Sequence, residues 1–365
     1  MKVVITGGHL TPALAVIDAM PKNWEVLYVG RKHGLEGDRA VTLEYETIRK
    51  MGISFFSITA GRWQRKFTAF TVWSLLKIPV GFIQAFYILF TNKPAVVLSF
   101  GGYISLPVCV SAYVLNIPVV IHEQTLGVGI ANRIVSFFAK KICISWTESK
   151  EFFPKSKTVL TGNPIRKSQI PNPKSQIPNE KIPLIYITGG STGSHAINVL
   201  IEGCIKKLLE HYKVIHQTGD ARKFGDFQRL SDMRMSFPEK LQKRYVLAKF
   251  IPPEDILYVF KAADIIISRA GMNTITELLY CSKPALLIPL RYGQQNEQYK
   301  NAQFFSKLGL GKILNQDDLT SDLLYEEIVQ FVKQKDIYNS QSNIARTLRK
   351  ENSAEEIINV VASVV

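Results

Sequence analysis

Short apolar segments alternate with longer helix-like segments along most of this 365-residue chain, and this alternation restricts its fold more than any other feature. The strand-like segments of the first part are residues 3–6, 26–29, 95–99, 118–122, 141–144 and 158–160. They resume at residues 184–188, 213–217, 245–250, 265–268 and 285–289. Strands that alternate with helices favour parallel sheets covered on both faces, so the sequence predicts an α/β protein with doubly wound sheets.

The alternation is interrupted by a polar, proline-rich stretch at residues 166–183, in which Ser-Gln-Ile-Pro-Asn occurs twice. Such a composition is typical of a linker or a slack surface loop. We therefore expect two domains, residues 1–163 and residues 164–345. The helical pattern at the end of the chain predicts a helix within residues 346–365 that packs back onto the first domain.

The charge of the chain indicates an acidic partner. Forty-five Lys and Arg residues against 30 Asp and Glu give a net charge of +15 and a pI near 9.5. Nucleic acid, an anionic membrane and a phosphorylated substrate all remain open on this ground alone. The four cysteines are far apart and form no C-x-x-C pair, which argues against a disulfide framework and fits a reducing cytoplasm.

Residues 47–122 contain no Asp or Glu, and within them residues 67–90 are the most apolar segment of the chain. A buried helix and an amphipathic hairpin that docks on a membrane both fit this pattern, and the length alone would permit a spanning helix. The sequence Lys77-x-Pro79-x-Gly81 argues against a plain spanning helix. The basic residues beside this segment would attract anionic head groups.

Glycine pairs follow three of the strand-like segments: Gly7-Gly8, Gly101-Gly102 and Gly189-Gly190. Glycine at such a turn lets the backbone approach an oxygen-rich ligand, and the helix that follows favours negative charge at its N-terminus. Neither the dinucleotide fingerprint G-x-G-x-x-G nor a P-loop occurs in the chain. Three such pairs at equivalent places indicate an oxygen-rich ligand, whereas a single pair is often just a tight turn.

Polar residues follow two further strands. His122-Glu123-Gln124-Thr125 ends one of them, and Glu277 lies about two turns into a helix that begins near Gly271. A carboxylate so placed fits either a ribose diol or a solvent-facing helix position. No Asp-x-Asp occurs, and the histidines lack metal-ligand spacing, so we expect neither a metal nor another cofactor.

In order along the chain, the motifs resemble those of the MurG family, the peptidoglycan N-acetylglucosaminyltransferases. The matching segments are Thr6-Gly7-Gly8-His9 with Pro12–Ala15, Gly34-Leu35-Glu36, residues 99–107, His122-Glu123-Gln124, residues 162–166, Gly189-Gly190-Ser191-x-Gly193, Arg269-x-Gly271, Glu277 and Gln298-x-x-Asn301-Ala302.

The resemblance implies a GT-B fold, with two Rossmann-like domains that face a cleft. It implies transfer of GlcNAc from UDP-GlcNAc to the C4 hydroxyl of MurNAc in lipid I, by a single inverting displacement without a metal. It also implies a peripheral position on the cytoplasmic face of the cell membrane. The expected partners are UDP-GlcNAc, lipid I, an anionic membrane surface and the cell-wall or division machinery, but not nucleic acid.

The resemblance also implies roles for individual residues. His9 is the expected catalytic base, because a histidine titrates near neutral pH. The residues expected to bind the sugar donor are Thr6, Gly7, Gly8, Thr125, Arg166, Ser191, Ile251, Glu277, Gln298 and Asn301. The residues expected on the acceptor side are Gly102, Tyr103, His122, Glu123 and Gln124. The residues expected to dock on the membrane are Arg62, Arg65, Lys66, Trp73, Lys77, Phe82 and Phe86.

The chain departs from the family pattern at three places. Val4-Ile5 stand where the family usually has a further Gly-Gly, and Thr125 stands where it has an asparagine that contacts the donor sugar. Glu297 stands where an amide is common. Three alternative functions stay open: another GT-B lipid glycosyltransferase, a UDP-GlcNAc 2-epimerase and a non-catalytic nucleic-acid-binding protein.

Overall fold

The computed structural model describes residues 1–33, 41–59, 69–166, 182–190, 193–220, 224–290 and 296–365, with only the backbone described at 69–77. Its contacts divide the chain into two compact units. Unit 1 comprises Met1–Arg166 together with Lys350–Val365, and unit 2 comprises Lys167–Arg349.

Each unit is built on one parallel sheet. The strands are β1 (Lys2–Thr6), β2 (Glu25–Gly30), β3 (Ser54–Ser57), β4 (Val96–Ser99), β5 (Val119–Glu123), β6 (Lys141–Ile144), β7 (Thr158–Leu160), β8 (Leu184–Thr188), β9 (Lys213–Gln217), β10 (Tyr245–Ala248), β11 (Ile265–Ser268), β12 (Ala285–Leu287) and β13 (Gly311–Ile313). Unit 1 has the order β3-β2-β1-β4-β5-β6-β7, and unit 2 has the order β10-β9-β8-β11-β12-β13.

Helices connect the strands. They are α1 (Leu10–Ala19), α2 (Leu43–Lys50), α3 (Ala69–Asn92), α4 (Ser105–Val114), α5 (Ile130–Val135), α6 (His195–His211), α7 (Asp226–Met235), α8 (Glu239–Gln242), α9 (Pro253–Ala262), α10 (Met272–Cys281), α11 (Glu297–Lys307), α12 (Ser321–Lys333), α13 (Lys335–Ser340), α14 (Ser342–Leu348) and α15 (Ser353–Ala362).

The predicted α/β class with two doubly wound parallel sheets is confirmed. Two strands, β3 and β13, were not predicted from the sequence; they are short and, unlike the central strands, are incompletely buried. Of the two alternatives for residues 67–90, the structure agrees with a helix rather than a hairpin, because residues 69–92 form one helix that continues through Pro79. No helix among the described residues is long and apolar enough to cross a membrane.

Both faces of the unit 1 sheet are covered. One hydrophobic layer joins the sheet to α3, α4 and α5, through residues such as Leu89, Val108 and Val135. The opposite layer joins it to α1 and α15, where Leu14 and Ile357 are buried. Burial of apolar surface on both faces fixes the sheet and leaves its carboxyl edge to be shaped by loops.

The unit 2 sheet is covered in the same way. On one face α6 and α12 pack through buried residues such as Ile205 and Ile328. On the other face α9, α10 and α11 contribute buried residues, among them Phe260, Ile275 and Phe305. The helix α10 follows β11 at its carboxyl end. It covers the face of the unit 2 sheet opposite to the face that α6 covers.

Candidate active site

Two glycine turns meet at the carboxyl edge of the unit 1 sheet. The Gly8 amide donates to the Gly101 carbonyl oxygen at 2.9 Å, and the Phe100 amide donates to the Thr6 carbonyl oxygen at 2.8 Å. Gly7 has φ +137°, and a Cβ there would lie 2.8 Å from the Phe100 backbone. Only glycine allows this close approach of the two loops. Thr6 itself is fully buried below them.

His9 follows this turn and immediately precedes α1. Its Nδ1 lies 2.8 Å from the Phe100 carbonyl oxygen. A carbonyl oxygen only accepts hydrogen bonds, so Nδ1 carries the hydrogen and the neutral ring has its lone pair on Nε2. The neighbouring loop therefore fixes the tautomer in which His9 can take up a proton at Nε2.

The structure places His122 inside unit 1 rather than at its surface. Its side chain is buried, and its Nε2 lies 3.2 Å from both the Gly162 carbonyl oxygen and the Ser145 hydroxyl. Burial lowers the pKa of His122 to about 4, the Gly162 carbonyl opposes that shift, and the nearby His9 adds to it. The ring is therefore neutral at physiological pH, and its Nδ1 has no hydrogen-bond partner among the described residues.

Glu123 holds the loop that leads into α5. Its Oε1 accepts from the Thr125 amide at 3.0 Å and from the Thr125 hydroxyl at 2.7 Å. Its Oε2 accepts from the Gly129 amide at 2.9 Å and from Asn132 Nδ2 at 3.0 Å. This side chain thus positions Thr125, while the neighbouring Gln124 is buried and accepts at its carbonyl from Trp146.

Other residues predicted for this edge lie close to the glycine turns. Gly102 is on the second turn, and Tyr103 follows it with its ring 5.1 Å from the Arg31 guanidinium carbon. Tyr28 also contacts the first glycine turn and was not predicted from the sequence. Its buried hydroxyl lies 3.3 Å from the Gly7 carbonyl oxygen and donates to Glu44 at 2.7 Å. A buried tyrosine within an apolar strand carries no sequence signal that it contacts such a turn.

Arg166, expected to bind the diphosphate, forms an ion pair with Asp18 on α1. Its Nε donates to Asp18 Oδ2 at 2.5 Å, and both side chains are partly exposed. This contact is within unit 1. The role of Arg166 towards the sugar donor stays a prediction.

Part of the predicted docking surface lies outside the described residues: Arg62, Arg65 and Lys66 entirely, and Trp73 and Lys77 for their side chains. Phe82 is half-buried, whereas Phe86 is exposed. Ile83, Tyr87 and Phe90 share its side of α3 and are 70%, 67% and 58% exposed.

Exposed apolar residues continue beyond α3. Tyr113 and Val114 end α4, and Phe137 lies just after α5. The helices α3, α4 and α5 pack side by side on one face of the sheet. Exposed apolar side chains on neighbouring helices are typical of an interaction surface where they form one patch.

A second glycine turn shapes the carboxyl edge of the unit 2 sheet. The Gly190 amide donates to the Thr188 hydroxyl at 3.0 Å, and the Gly190 carbonyl oxygen accepts from Gln217 at 3.1 Å. Gly193 has φ +76°, and a Cβ there would collide with the Thr218 carbonyl oxygen. The predicted Ser191 lies outside the described residues. The turn leads directly to the N-terminus of α6, which favours an anion.

Arg269 follows β11 and is only 7% exposed. Its guanidinium donates to the Ser194 hydroxyl oxygen, to the Ile288 carbonyl oxygen and to Gln316 Oε1, at distances from 2.6 to 3.1 Å. Burial lowers the pKa of the guanidinium. The sequence identifies Arg269 only as part of a motif, because its partners come from three distant parts of the chain.

Glu277 lies on α10 in dense surroundings, although part of its surface remains accessible. Burial raises the pKa of this carboxyl to about 8. Its carboxylate accepts no hydrogen bond from the part of the chain that the structure describes. A desolvated carboxylate gains most from a ligand that brings hydroxyl donors to it.

The remaining residues predicted for the sugar donor lie around this edge. Asn301 is fully buried and donates to the Ala270 carbonyl oxygen at 3.0 Å, so it holds the turn before α10. Gln298 accepts at Oε1 from the Leu290 amide at 2.9 Å and is only partly buried. Ile251 lies between β10 and α9.

A buried polar network that the sequence analysis missed supports the neighbouring loop. Asn198 donates to Asp226 at 2.8 Å and accepts from His216 at 3.0 Å. Asp226 also accepts from His195 and from Arg229, both at 2.8 Å. These residues lie far apart in sequence, so only the fold brings them together.

Among the described residues, no group of three or more His, Cys, Asp or Glu side chains is placed to hold a metal ion.

Comparison with family models covers both units. The model of the glycosyltransferase family 28 N-terminal domain matches residues 3–144, and that of the family 28 C-terminal domain matches residues 184–360. The chain belongs to glycosyltransferase family 28.

Full-length relatives and solved structures indicate which members of glycosyltransferase family 28 this chain is similar to. A protein of Clostridium kluyveri is named UDP-N-acetylglucosamine–N-acetylmuramyl-(pentapeptide) pyrophosphoryl-undecaprenol N-acetylglucosamine transferase. It is 33% identical over 373 residues, which cover 99% of this chain and 98% of the relative. The crystal structure of MurG from Acinetobacter baumannii matches with a TM-score of 0.72 and 25% identity, covering 99% of each chain. The MurG-family resemblance predicted from the sequence is confirmed.

The same fold also occurs in an epimerase. The crystal structure of UDP-GlcNAc 2-epimerase from Neisseria meningitidis, bound to UDP-GlcNAc, matches with a TM-score of 0.68 and covers 100% of each chain. Its sequence is 16% identical, so the likeness concerns the fold alone.

We predict that the His122 side chain stays neutral at pH values well below those at which a histidine usually takes up a proton. Its pKa of about 4 lies below the 6.5 of an unfolded chain, so the unfolded state binds the proton first. The free energy of unfolding of unit 1 should therefore fall as the pH drops from 6.5 towards 4. NMR titration of the ring resonances checks this, with the exposed His211 as the internal control. A His122 midpoint near 6.5 would contradict the burial argument.

Proposed function

We propose that this family 28 protein transfers GlcNAc from UDP-GlcNAc to the C4 hydroxyl of MurNAc in lipid I, which gives lipid II for peptidoglycan synthesis. Support comes from relatives of full length that carry the name of this transferase. The observation that carries the chemical part is the His9 tautomer, because the hydrogen bond to Phe100 leaves Nε2 ready to accept a proton.

In the proposed reaction, the acceptor hydroxyl attacks the anomeric carbon of GlcNAc while the bond to UDP breaks. His9 takes the hydroxyl proton at Nε2, and the configuration at the anomeric carbon inverts. The departing diphosphate carries the electron pair of the broken bond. The N-terminus of α6 and the glycine turn before it stabilise that charge.

We assign the recognition of the sugar donor to unit 2. Glu277 accepts hydrogen bonds from the ribose hydroxyls, and Ile251 lies where the backbone would read the uracil. Gln298 contacts the GlcNAc hydroxyls directly. Asn301 is buried against Ala270, so it acts by holding the turn before α10.

We assign the acceptor to the carboxyl edge of unit 1. Gly102 and Tyr103 lie on the turn beside His9 and would contact lipid I. Glu123 would act through the loop it anchors, since both of its carboxylate oxygens already accept hydrogen bonds from that loop. His122 would act through Phe100, since its ring packs against the Phe100 ring and the Phe100 carbonyl oxygen contacts His9.

The acceptor carries a polyprenyl chain, so we propose that unit 1 docks on the cytoplasmic face of the membrane as a peripheral protein. The exposed apolar residues of α3 form one stripe, because Ile83, Phe86, Tyr87 and Phe90 recur at helical spacing. Burial of this stripe, together with attraction of basic residues to anionic head groups, would hold the protein at the membrane.

The reaction itself is tested by incubating the purified protein with UDP-GlcNAc, with and without lipid I or a short-chain analogue. We expect UDP release only with the acceptor, and a product heavier by one N-acetylhexosamine by mass spectrometry. Conversion of UDP-GlcNAc into its 2-epimer, without an acceptor product, would support an epimerase instead. Salt-dependent binding of nucleic acid without binding of UDP would refute both.

His9→Gln separates the two roles open to His9. Glutamine keeps a donor for the Phe100 carbonyl oxygen but has no basic nitrogen. We expect turnover to fall by about 10²- to 10⁴-fold, the usual effect of a lost general base. The control is His211→Ala, since His211 is exposed at the end of α6. Turnover close to that of the wild type would mean that His9 serves only the loop.

The affinity for UDP should rise with pH. Ionised Glu277 accepts stronger hydrogen bonds than the neutral acid, and its pKa in the free protein is raised to about 8. We expect the affinity measured by calorimetry to increase up to about pH 8 and then level off. Glu277→Gln should weaken binding by about 10-fold and abolish this slope. The exposed Glu239→Gln serves as the control. An unchanged slope in Glu277→Gln would remove this residue from the ribose site.

Membrane docking is tested with Ile83→Ser combined with Tyr87→Ser. These two side chains are among the most exposed on α3, so we expect less sedimentation with anionic liposomes and unchanged UDP affinity. Ile337→Ser on α13 is a matched control, because Ile337 is 66% exposed but belongs to unit 2. If the double variant sediments like the wild type, this surface does not dock.

A further inference from the structure

The strongest unexplained feature of unit 2 is the contact between Ser194 and Arg269. Ser194 ends the glycine turn after β8 and caps α6, where its Oγ accepts from the Ile197 amide at 3.4 Å. The same Oγ accepts from Arg269 Nε at 3.1 Å and from Nη2 at 2.8 Å. β8 and β11 are neighbours at which the strand order reverses, the place where α/β sheets bind ligands.

Arg269 is a buried cation held by neutral groups. Its described partners are the Ser194 hydroxyl, the Ile288 carbonyl oxygen and the Gln316 side chain, and none of these is a carboxylate. A buried charge without a counter-charge is costly to fold. A ligand that brings negative charge to this edge would compensate that cost.

Ser194 is a hydrogen-bond donor whose acceptor is missing from the described structure. Its oxygen has two lone pairs, and three N–H groups compete for them. The hydroxyl hydrogen therefore points away from these groups. Ser194 is only partly buried, so a ligand can reach it.

We propose that the Ser194 hydroxyl donates a hydrogen bond to the diphosphate of the sugar donor, and that Arg269 is the positioning residue that orients it. Arg269 does not touch the ligand; it acts by holding and polarising the serine oxygen. This assignment rests on the proposed function, because it takes a nucleoside diphosphate as the ligand. Arg269 thereby supplies a cationic group at the carboxyl edge of the unit 2 sheet, whereas the Arg166 guanidinium contacts Asp18 in unit 1.

The diphosphate contribution is measured as the ratio of UDP affinity to uridine affinity, by calorimetry on the full chain. Ser194→Ala should lower this ratio by about 10- to 100-fold, the effect of losing a hydrogen bond to a charged group, while uridine binds as before. Ser194→Thr keeps the hydroxyl and should restore most of the ratio. Thr320→Ala removes an equivalent cap, that of α12, and should leave the ratio unchanged.

The Ser194→Asp variant keeps the proposal testable if Ser194→Ala does not fold. Aspartate caps a helix well and accepts from Arg269, but it has no donor and repels phosphate. We expect it to fold and to lose the preference for UDP more completely than Ser194→Ala. If it retains that preference, the proposal is overturned.

The role of Arg269 is tested by coupling. Arg269→Lys keeps the charge but cannot hold the serine oxygen with two donors. It should lower the ratio in the wild-type background and change it little in the Ser194→Ala background. Equal losses in both backgrounds would mean that Arg269 does not act through Ser194.

These outcomes separate this inference from the function it rests on. A wild-type protein that binds UDP no better than uridine would overturn the assignment of the sugar-donor site itself. A wild-type protein that prefers UDP, with Ser194→Ala preferring it equally, would overturn only the role of Ser194.

Discussion

Parallel pairing between β1 and β4 in unit 1, and between β8 and β11 in unit 2, determines where the candidate binding edge of each unit lies. In unit 1 the register ends with Thr6 opposite Ser99, and in unit 2 with Thr188 opposite Ser268. The loops that follow each pair therefore start at the same height. In unit 1 they meet through their glycine turns and then lead to α1 and α4, which cover opposite faces of the sheet.

Burial then sets the chemical state of the groups around these strand ends. His122 is kept neutral, and Glu277 holds its proton to a higher pH than a solvated carboxyl. The hydrogen bond to Phe100 selects one tautomer of His9. The two units thus differ in character: unit 1 carries a histidine whose Nε2 can accept a hydrogen bond, whereas unit 2 carries a buried guanidinium and a desolvated carboxyl group.

The sequence was sufficient to predict the fold and the glycine turns at the strand ends, because strand alternation and glycine pairs are local signals. It was also sufficient for the family, through motifs that occur in a fixed order. It could not predict which polar residues face a ligand and which hold the framework. The residue types of Glu123 and Asn301 do not reveal whether these side chains contact a sugar or hold a backbone loop. Arg269 shows the same limit, because its partners are brought together only by the folded sheet.

The position of α15 has a consequence for how the protein is made. Ile357 and Val361 of this helix fill the same hydrophobic layer as residues of β1, β2 and α1. The whole of unit 2 lies between them in the sequence. A ribosome that adds residues from the amino end therefore exposes an incomplete unit 1 while unit 2 emerges and folds. During synthesis there is thus an interval in which the apolar face of unit 1 that α15 later covers is exposed. Chaperones that bind exposed apolar surfaces would act during that interval.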